Sequence, residues 1–125
     1  MTVLDASALL ALLNGEPGAD VVLAALGGSI MSTVNFAEVL SKAVERGARV
    51  EAAMSDIRRL GVAIEPFDEG QAIVAAGLRR LTASAGLSIG DRACLALAAV
   101  KGADVLTADR VWASLPHGLK VNLIR

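Results

Sequence analysis

With 125 residues the chain has room for one domain, spanning 1–125, and its 54% hydrophobic residues exclude a disordered or solvating segment. Its 12 Lys and Arg are balanced by 13 Asp and Glu, so bulk charge does not supply the basic excess of a phosphate-neutralising surface, and any nucleic-acid role must rest on a local site. The single cysteine, Cys94, excludes an intramolecular disulfide and fits a reducing compartment.

Thr2-Val-Leu-Asp5 reads as a short buried strand ending on a carboxylate, and Ala6–Leu13 as a helix closed by Asn14-Gly15. Pro17 suits the first turn of a second helix that runs to Leu26 and stops at Gly27-Gly28. Ser29–Thr33 is a second strand. A third helix follows, with Phe36, Val39, Leu40, Ala43 and Val44 on one apolar face and Gly47 as its stop. Val50–Leu60 is a fourth helix, Val62–Phe67 a third strand, and Asp68–Ala85 a long helix broken by Gly86. Ser88 opens a helix that ends at Lys101-Gly102. Its stretch Ala93–Val100 has no polar face and must lie between layers. Ala103–Thr107 and Val121–Ile124 complete the strands.

Short strands alternating with helices require a parallel sheet covered on both faces. The expected fold is therefore a three-layer α/β/α domain with a central parallel sheet of four to five strands. The N-terminus lacks a basic start, and Asp5 interrupts its apolar run, so it does not read as a signal peptide. The longest uncharged stretch, Val21–Ala37, contains two glycines and several polar residues and falls short of a membrane span. A soluble cytoplasmic protein without membrane association is expected.

Ligand sites in open parallel sheets lie beyond the carboxyl ends of the strands. Four acids fall there: Asp5 ends the first strand, Glu38 and Asp91 lie near the starts of two helices, and Asp109 follows the fourth strand. Each has a local explanation. Asp5 and Asp109 suit helix N-caps, while Asn35 with Glu38 and Ser88 with Asp91 have capping-box spacing. Glu38 is also placed to pair with Lys42 one turn on. Taken together, the acids ask for more. A carboxylate at the head of a fully apolar helix is costly unless it is paired, protonated or bound to metal. Oxygen-only donors select Mg²⁺ or Mn²⁺, and the chemistry that uses such a cluster is in-line attack on a phosphodiester.

Asp5 in Val-Leu-Asp-Ala-Ser, Glu38 in Asn-Phe-Ala-Glu-Val, Asp91 in Gly-Asp-Arg-Ala-Cys-Leu-Ala-Leu-Ala and Asp109 in Thr-Ala-Asp-Arg-Val-Trp together resemble the acidic motifs of the PIN-domain family. Within it the chain is most similar to the VapC toxins in length and motif order. The resemblance covers essentially the whole chain; no single motif is specific, and the ordered set of four carries the signal. It implies that these four acids bind one or two Mg²⁺ or Mn²⁺ ions and catalyse RNA cleavage, leaving a 5′-phosphate and a 3′-hydroxyl. It also implies a homodimer held by helices and inhibition by a small antitoxin.

Ser7 and Thr107, near the strand ends, are placed to hydrogen-bond a carboxylate or a bound water, and Asn35 is placed either to do so or to cap its helix. Arg92 and Arg110 sit beside proposed ligands, where they either contact phosphate or balance the neighbouring acid. His117, the only histidine, has no evident partner and reads as a surface residue. Trp112 reads as packing, and Cys94 as a poor nucleophile among apolar neighbours. No glycine-rich phosphate loop is present. Two rival readings stand beside the nuclease. A phosphorelay receiver shares the fold class but needs a paired acid after the first strand and a lysine after the fifth, both missing here. A PIN-like module that binds RNA or protein without cleaving it would tolerate loss of Asp5.

Overall fold

In the computed structural model, which describes Met1 to Arg125, the elements run in this order: β1 (Thr2–Leu4), α1 (Ala6–Asn14), α2 (Ala19–Ala25), β2 (Ser29–Ser32), α3 (Thr33–Glu45), α4 (Val50–Arg59), β3 (Ala63–Glu65), α5 (Glu69–Gly77), α6 (Arg79–Thr82), a 3-10 turn (Ala83–Ala85), α7 (Ile89–Lys101), β4 (Asp104–Thr107), a 3-10 segment (Arg110–Ser114) and β5 (Val121–Leu123). The five strands form one sheet in the order β3-β2-β1-β4-β5, and every pairing is parallel. This is the three-layer α/β/α architecture expected from the alternating pattern. The receiver reading fails on topology, because flavodoxin-like receivers place the third strand beside the first, whereas here β1 lies between β2 and β4.

Strand alternation builds two cores. Val3, Ile30 and Val105 join the cluster that contains Leu95, Leu97 and Trp112. Their neighbours Leu4, Met31 and Leu106 join the cluster on the other face, with Leu9, Val39 and Ile57. α7 packs on β1, β2 and β4 and contacts α3 and α5. Ala93 through Ala98 are completely buried, as a helix without a polar face requires, but Ala99 and Val100, expected to lie between layers too, are exposed where the helix runs past the sheet. No single helix is long and apolar enough to cross a membrane.

The long helix expected over Asp68–Ala85 is interrupted at Leu78. Gly77 weakens the helix, and Arg92 Nη1 donates 3.0 Å to the Ala75 carbonyl. That carbonyl is the acceptor an uninterrupted helix would offer the N–H of Arg79. Tertiary contact, invisible in local periodicity, thus sets the break. A further 3-10 segment, Arg110–Ser114, follows Asp109, which caps it as its residue type suggests.

Gly18 sits at the N-cap of α2 with φ +96°, and a Cβ there would lie 2.7 Å from the Ile124 carbonyl oxygen. Strained backbone and backbone contact both oppose a side chain. Gly18→Ala is therefore expected to cost about 2–4 kcal/mol, read as a lower denaturant midpoint with unchanged slope. Gly28, at φ +76° in open space, is the control. There Ala should cost only about 1–2 kcal/mol of backbone strain.

Candidate active site

The strand order reverses between β1 and β4; Asp5 directly follows β1, and Thr107 is the last residue of β4. Asp5 caps α1, with Oδ1 accepting from the Ala8 N–H at 2.8 Å. The Ser7 hydroxyl lies 2.7 and 2.8 Å from its two oxygens, and Thr107 Oγ1 donates to Oδ2 at 2.6 Å. The hydroxyl orientations are forced by their other partners. Ser7 Oγ accepts from the Ala108 N–H and Thr107 Oγ1 from the Asp109 N–H, both at 3.0 Å, which turns their protons toward Asp5. Asp5 is only 5% exposed. Burial pushes its carboxyl up to about 6, with the Thr107, Ala8 and Ser7 hydrogen bonds opposing and the charge of Asp91 adding.

Asp91 lies on the first turn of α7 in a capping box with Ser88: its N–H donates to Ser88 Oγ at 3.1 Å, and its Oδ2 accepts from the Ser88 N–H at 2.9 Å. Glu38 lies on α3, whose cap is Ser32 rather than Asn35. Asn35 instead points inward, where Nδ2 donates to Glu38 Oε1 at 3.2 Å and to the Gly90 carbonyl at 3.0 Å. Burial, and then the charge of Asp91, raise the Glu38 carboxyl above its ordinary value, while the Asn35 hydrogen bond lowers it. Lys42 pairs with Glu45 at 3.7 Å and leaves Glu38 to this neighbourhood. Asp5 and Glu38, from two separate elements, therefore both feel the charge of Asp91 on a third.

Asp109 is exposed and caps the 3-10 segment, accepting from the Val111 N–H at 3.0 Å. The geometry does not couple it to the other three acids. Arg110 beside it is exposed, whereas Arg92 is turned onto α5. His117 is half-buried rather than a surface residue. Its Nδ1 accepts from the Leu119 N–H at 3.0 Å, so its Nε2 donates to the Trp112 carbonyl at 2.7 Å, a clip for the loop before β5. Cys94 is fully buried, and burial together with the charges of Asp5, Asp91 and Glu38 raises its thiol well above the usual range. That rules it out as a nucleophile. An apolar groove of about 290 Å³ between α1, α3 and α4 contains none of the four acids.

Gly90 went unremarked in the sequence. Glycine inside a helix costs roughly 0.5–1 kcal/mol relative to Ala, and this one has no positive φ to justify it. A Cβ there would overlap Glu38 Oε1 and lie 2.9 Å from its carboxyl carbon. An unexplained glycine in an otherwise apolar helix was the available signal.

The donor set suits a hard divalent cation, being made of carboxylate oxygens. Asp91 Oδ1 and Glu38 Oε2 carry no hydrogen bond and remain available. As the side chains stand, three such groups do not yet converge within reach of one ion, so binding would have to draw them together.

The sequence model described as PIN domain matches residues 2–118. No curated protein sequence matches. Among solved structures, a toxin–antitoxin complex from Klebsiella pneumoniae superposes with a TM-score of 0.78 at 20% identity, covering 100% of this chain and 98% of that one. DNA-bound VapBC from Salmonella typhimurium gives 0.76 at 17% identity, covering 99% and 98%. VapC20 from Mycobacterium tuberculosis, described as a toxin cleaving the sarcin–ricin loop, gives 0.73 at 16% identity, covering 95% and 99%. At these identities the likeness is one of fold.

Proposed function

Because the chain belongs to the PIN-domain family, we propose that it is a metal-dependent endoribonuclease and the toxin half of a type II toxin–antitoxin pair. The observation that carries this reading is a buried carboxylate, Asp5, held at about 6 first by burial, with the charge of Asp91 adding to it and acting on Glu38 as well. Such a site stores carboxylate repulsion that a cation relieves.

Asp5, Glu38 and Asp91 would hold Mg²⁺ or Mn²⁺, with Asp109 joining from the rim. What the ion supplies when bound is activation of water and stabilisation of the leaving oxygen. Ser7 and Thr107 favour the ionised form of Asp5 against the effect of burial and hold the carboxylate in one orientation. Glu38 and Asp91 each present one uncommitted oxygen. Arg110, exposed beside Asp109, is the nearer candidate for a backbone phosphate of RNA. Arg92, engaged with the Ala75 carbonyl, holds α5 against α7. The neighbours described as a toxin–antitoxin complex and as VapBC support a cognate antitoxin as partner; a homodimer acting in the cytoplasm completes the proposal.

The capping roles of Asp5, Asp91 and Asp109 favour one competing reading, a PIN-like module that binds without cutting. Purified protein incubated with structured RNA decides between them. Cleavage in Mg²⁺ or Mn²⁺, lost on chelation and restored by excess metal, is the expected result. Cleavage indifferent to chelator removes the metal from the reading. The absence of cutting in protein shown by mass to be free of antitoxin, across ribosomal and transfer RNA, gives the lead to the binding module.

A further inference from the structure

Asn35 spends a buried amide on joining two helices and leaves part of it unsatisfied. The residue is 1% exposed, and Nδ2 makes both of its bonds, to the Gly90 carbonyl and to Glu38 Oε1. Oδ1, equally buried, has no partner. Reversing the amide would set its oxygen against two acceptors, so the partners fix its orientation. Leaving a buried acceptor unpaired is unfavourable, and stability alone does not explain it. Gly90 completes the arrangement, because the Glu38 carboxyl occupies the space where a side chain at 90 would stand.

We propose that Asn35 and Gly90 are positioning residues that dock the Glu38 carboxylate onto the first turn of α7 and so set its approach to Asp91. This rests on the reading of Glu38 as a site acid. A glutamate on an otherwise exposed helix face samples many rotamers, and a metal or substrate that needs one of them loses affinity accordingly. The Asn35 amide selects one rotamer from the side, and the bare Cα of Gly90 opens the seat for it. A single methyl at 90 closes that seat without disturbing backbone geometry, since alanine is the better helix former.

The test is a mutant cycle read by Mn²⁺ titration, thermal melting and RNA cleavage on the full chain, using Gly90→Ala, Asn35→Ala and Glu38→Gln. Gly90→Ala is expected to keep or raise the melting temperature while weakening Mn²⁺ affinity and cleavage about 10–100-fold, the usual range for groups that orient ligands. In a Glu38→Gln background the same substitution should change Mn²⁺ affinity by less than about twofold, because the residue it acts through is already gone. Asn35→Ala should follow the same pattern; if it fails to fold, Gly90→Ala carries the test alone. Equal losses in both backgrounds would assign the pair a purely structural role and overturn the proposal. So would a Gly90→Ala protein that binds Mn²⁺ and cuts as the parent does. If Glu38→Gln itself leaves binding and cleavage untouched, the fault lies with Glu38 as a site acid, and the positioning role falls with it.

Discussion

Asp5→Asn is expected to abolish RNA cleavage, by at least about 10³-fold, while leaving the metal-free protein more stable than its parent at neutral pH. The folded carboxyl titrates near 6 against 3.8 when unfolded, because burial outweighs the hydrogen bonds from Thr107, Ala8 and Ser7. The folded state thus holds its proton more tightly, and stability falls as pH rises from about 4 through 6. Two pKa units of displacement correspond to a ceiling of about 3 kcal/mol. Asn removes that cost but accepts fewer hydrogen bonds, so a net gain of about 1–2 kcal/mol is expected above pH 6, turning into a loss of about 1–2 kcal/mol below pH 4, where the linkage gain has vanished. Thermal melts of both proteins in chelator across pH 4–8 check this. Mg²⁺ should raise the parent's melting temperature selectively, since Asn offers a poorer ligand. A variant that is inactive and also unstable at every pH would assign Asp5 a capping role only.

Trp112→Ala should be the most damaging single change in the core, at about 3–5 kcal/mol. The indole is completely buried on the α7 face of the sheet, in a cluster with Val3, Leu95 and Val105. It also anchors the 3-10 segment that Asp109 caps, and its carbonyl receives the His117 clip. A loss of this size removes a large share of an ordinary domain's 5–15 kcal/mol. Trp112→Phe is the informative partner. The indole Nε1 has no hydrogen-bond acceptor, so losing its N–H is free of cost, and only the missing volume should register, at roughly 1–2 kcal/mol. Denaturant midpoints followed by circular dichroism are needed, because this is the chain's only tryptophan. If Phe proved as harmful as Ala, the indole would have an unseen polar partner.

Both expectations depend on how local each determinant is. Element order, layer architecture and the positions of the four acids were legible in the linear chain, because their signals span only a few residues. Apolar alternation marks strands, glycine marks helix ends, and the Ser88–Asp91 spacing announces a capping box that the structure contains. The apolar run pointed to a buried helix, which holds for Ala93–Ala98, while Ala99 and Val100 emerge into solvent at the end of α7.

Relationships across the chain were decided only by the tertiary structure. Asn35 has capping spacing to Glu38, yet it spans 55 positions to reach the Gly90 carbonyl, and Ser32 takes the cap. Arg92 stands next to Asp91 in sequence, but its guanidinium binds an α5 carbonyl and interrupts the helix expected to run to Ala85. Thr107 reaches Asp5 only because β1 and β4 are neighbours in the sheet, and Asp109 stays outside that group although it follows two residues later. Propensity and capping are settled by backbone atoms within one turn, so the chain declares them residue by residue. Which side chain meets which carboxylate depends on strand order and helix packing, whose partners lie tens of residues apart, and no local pattern encodes that meeting.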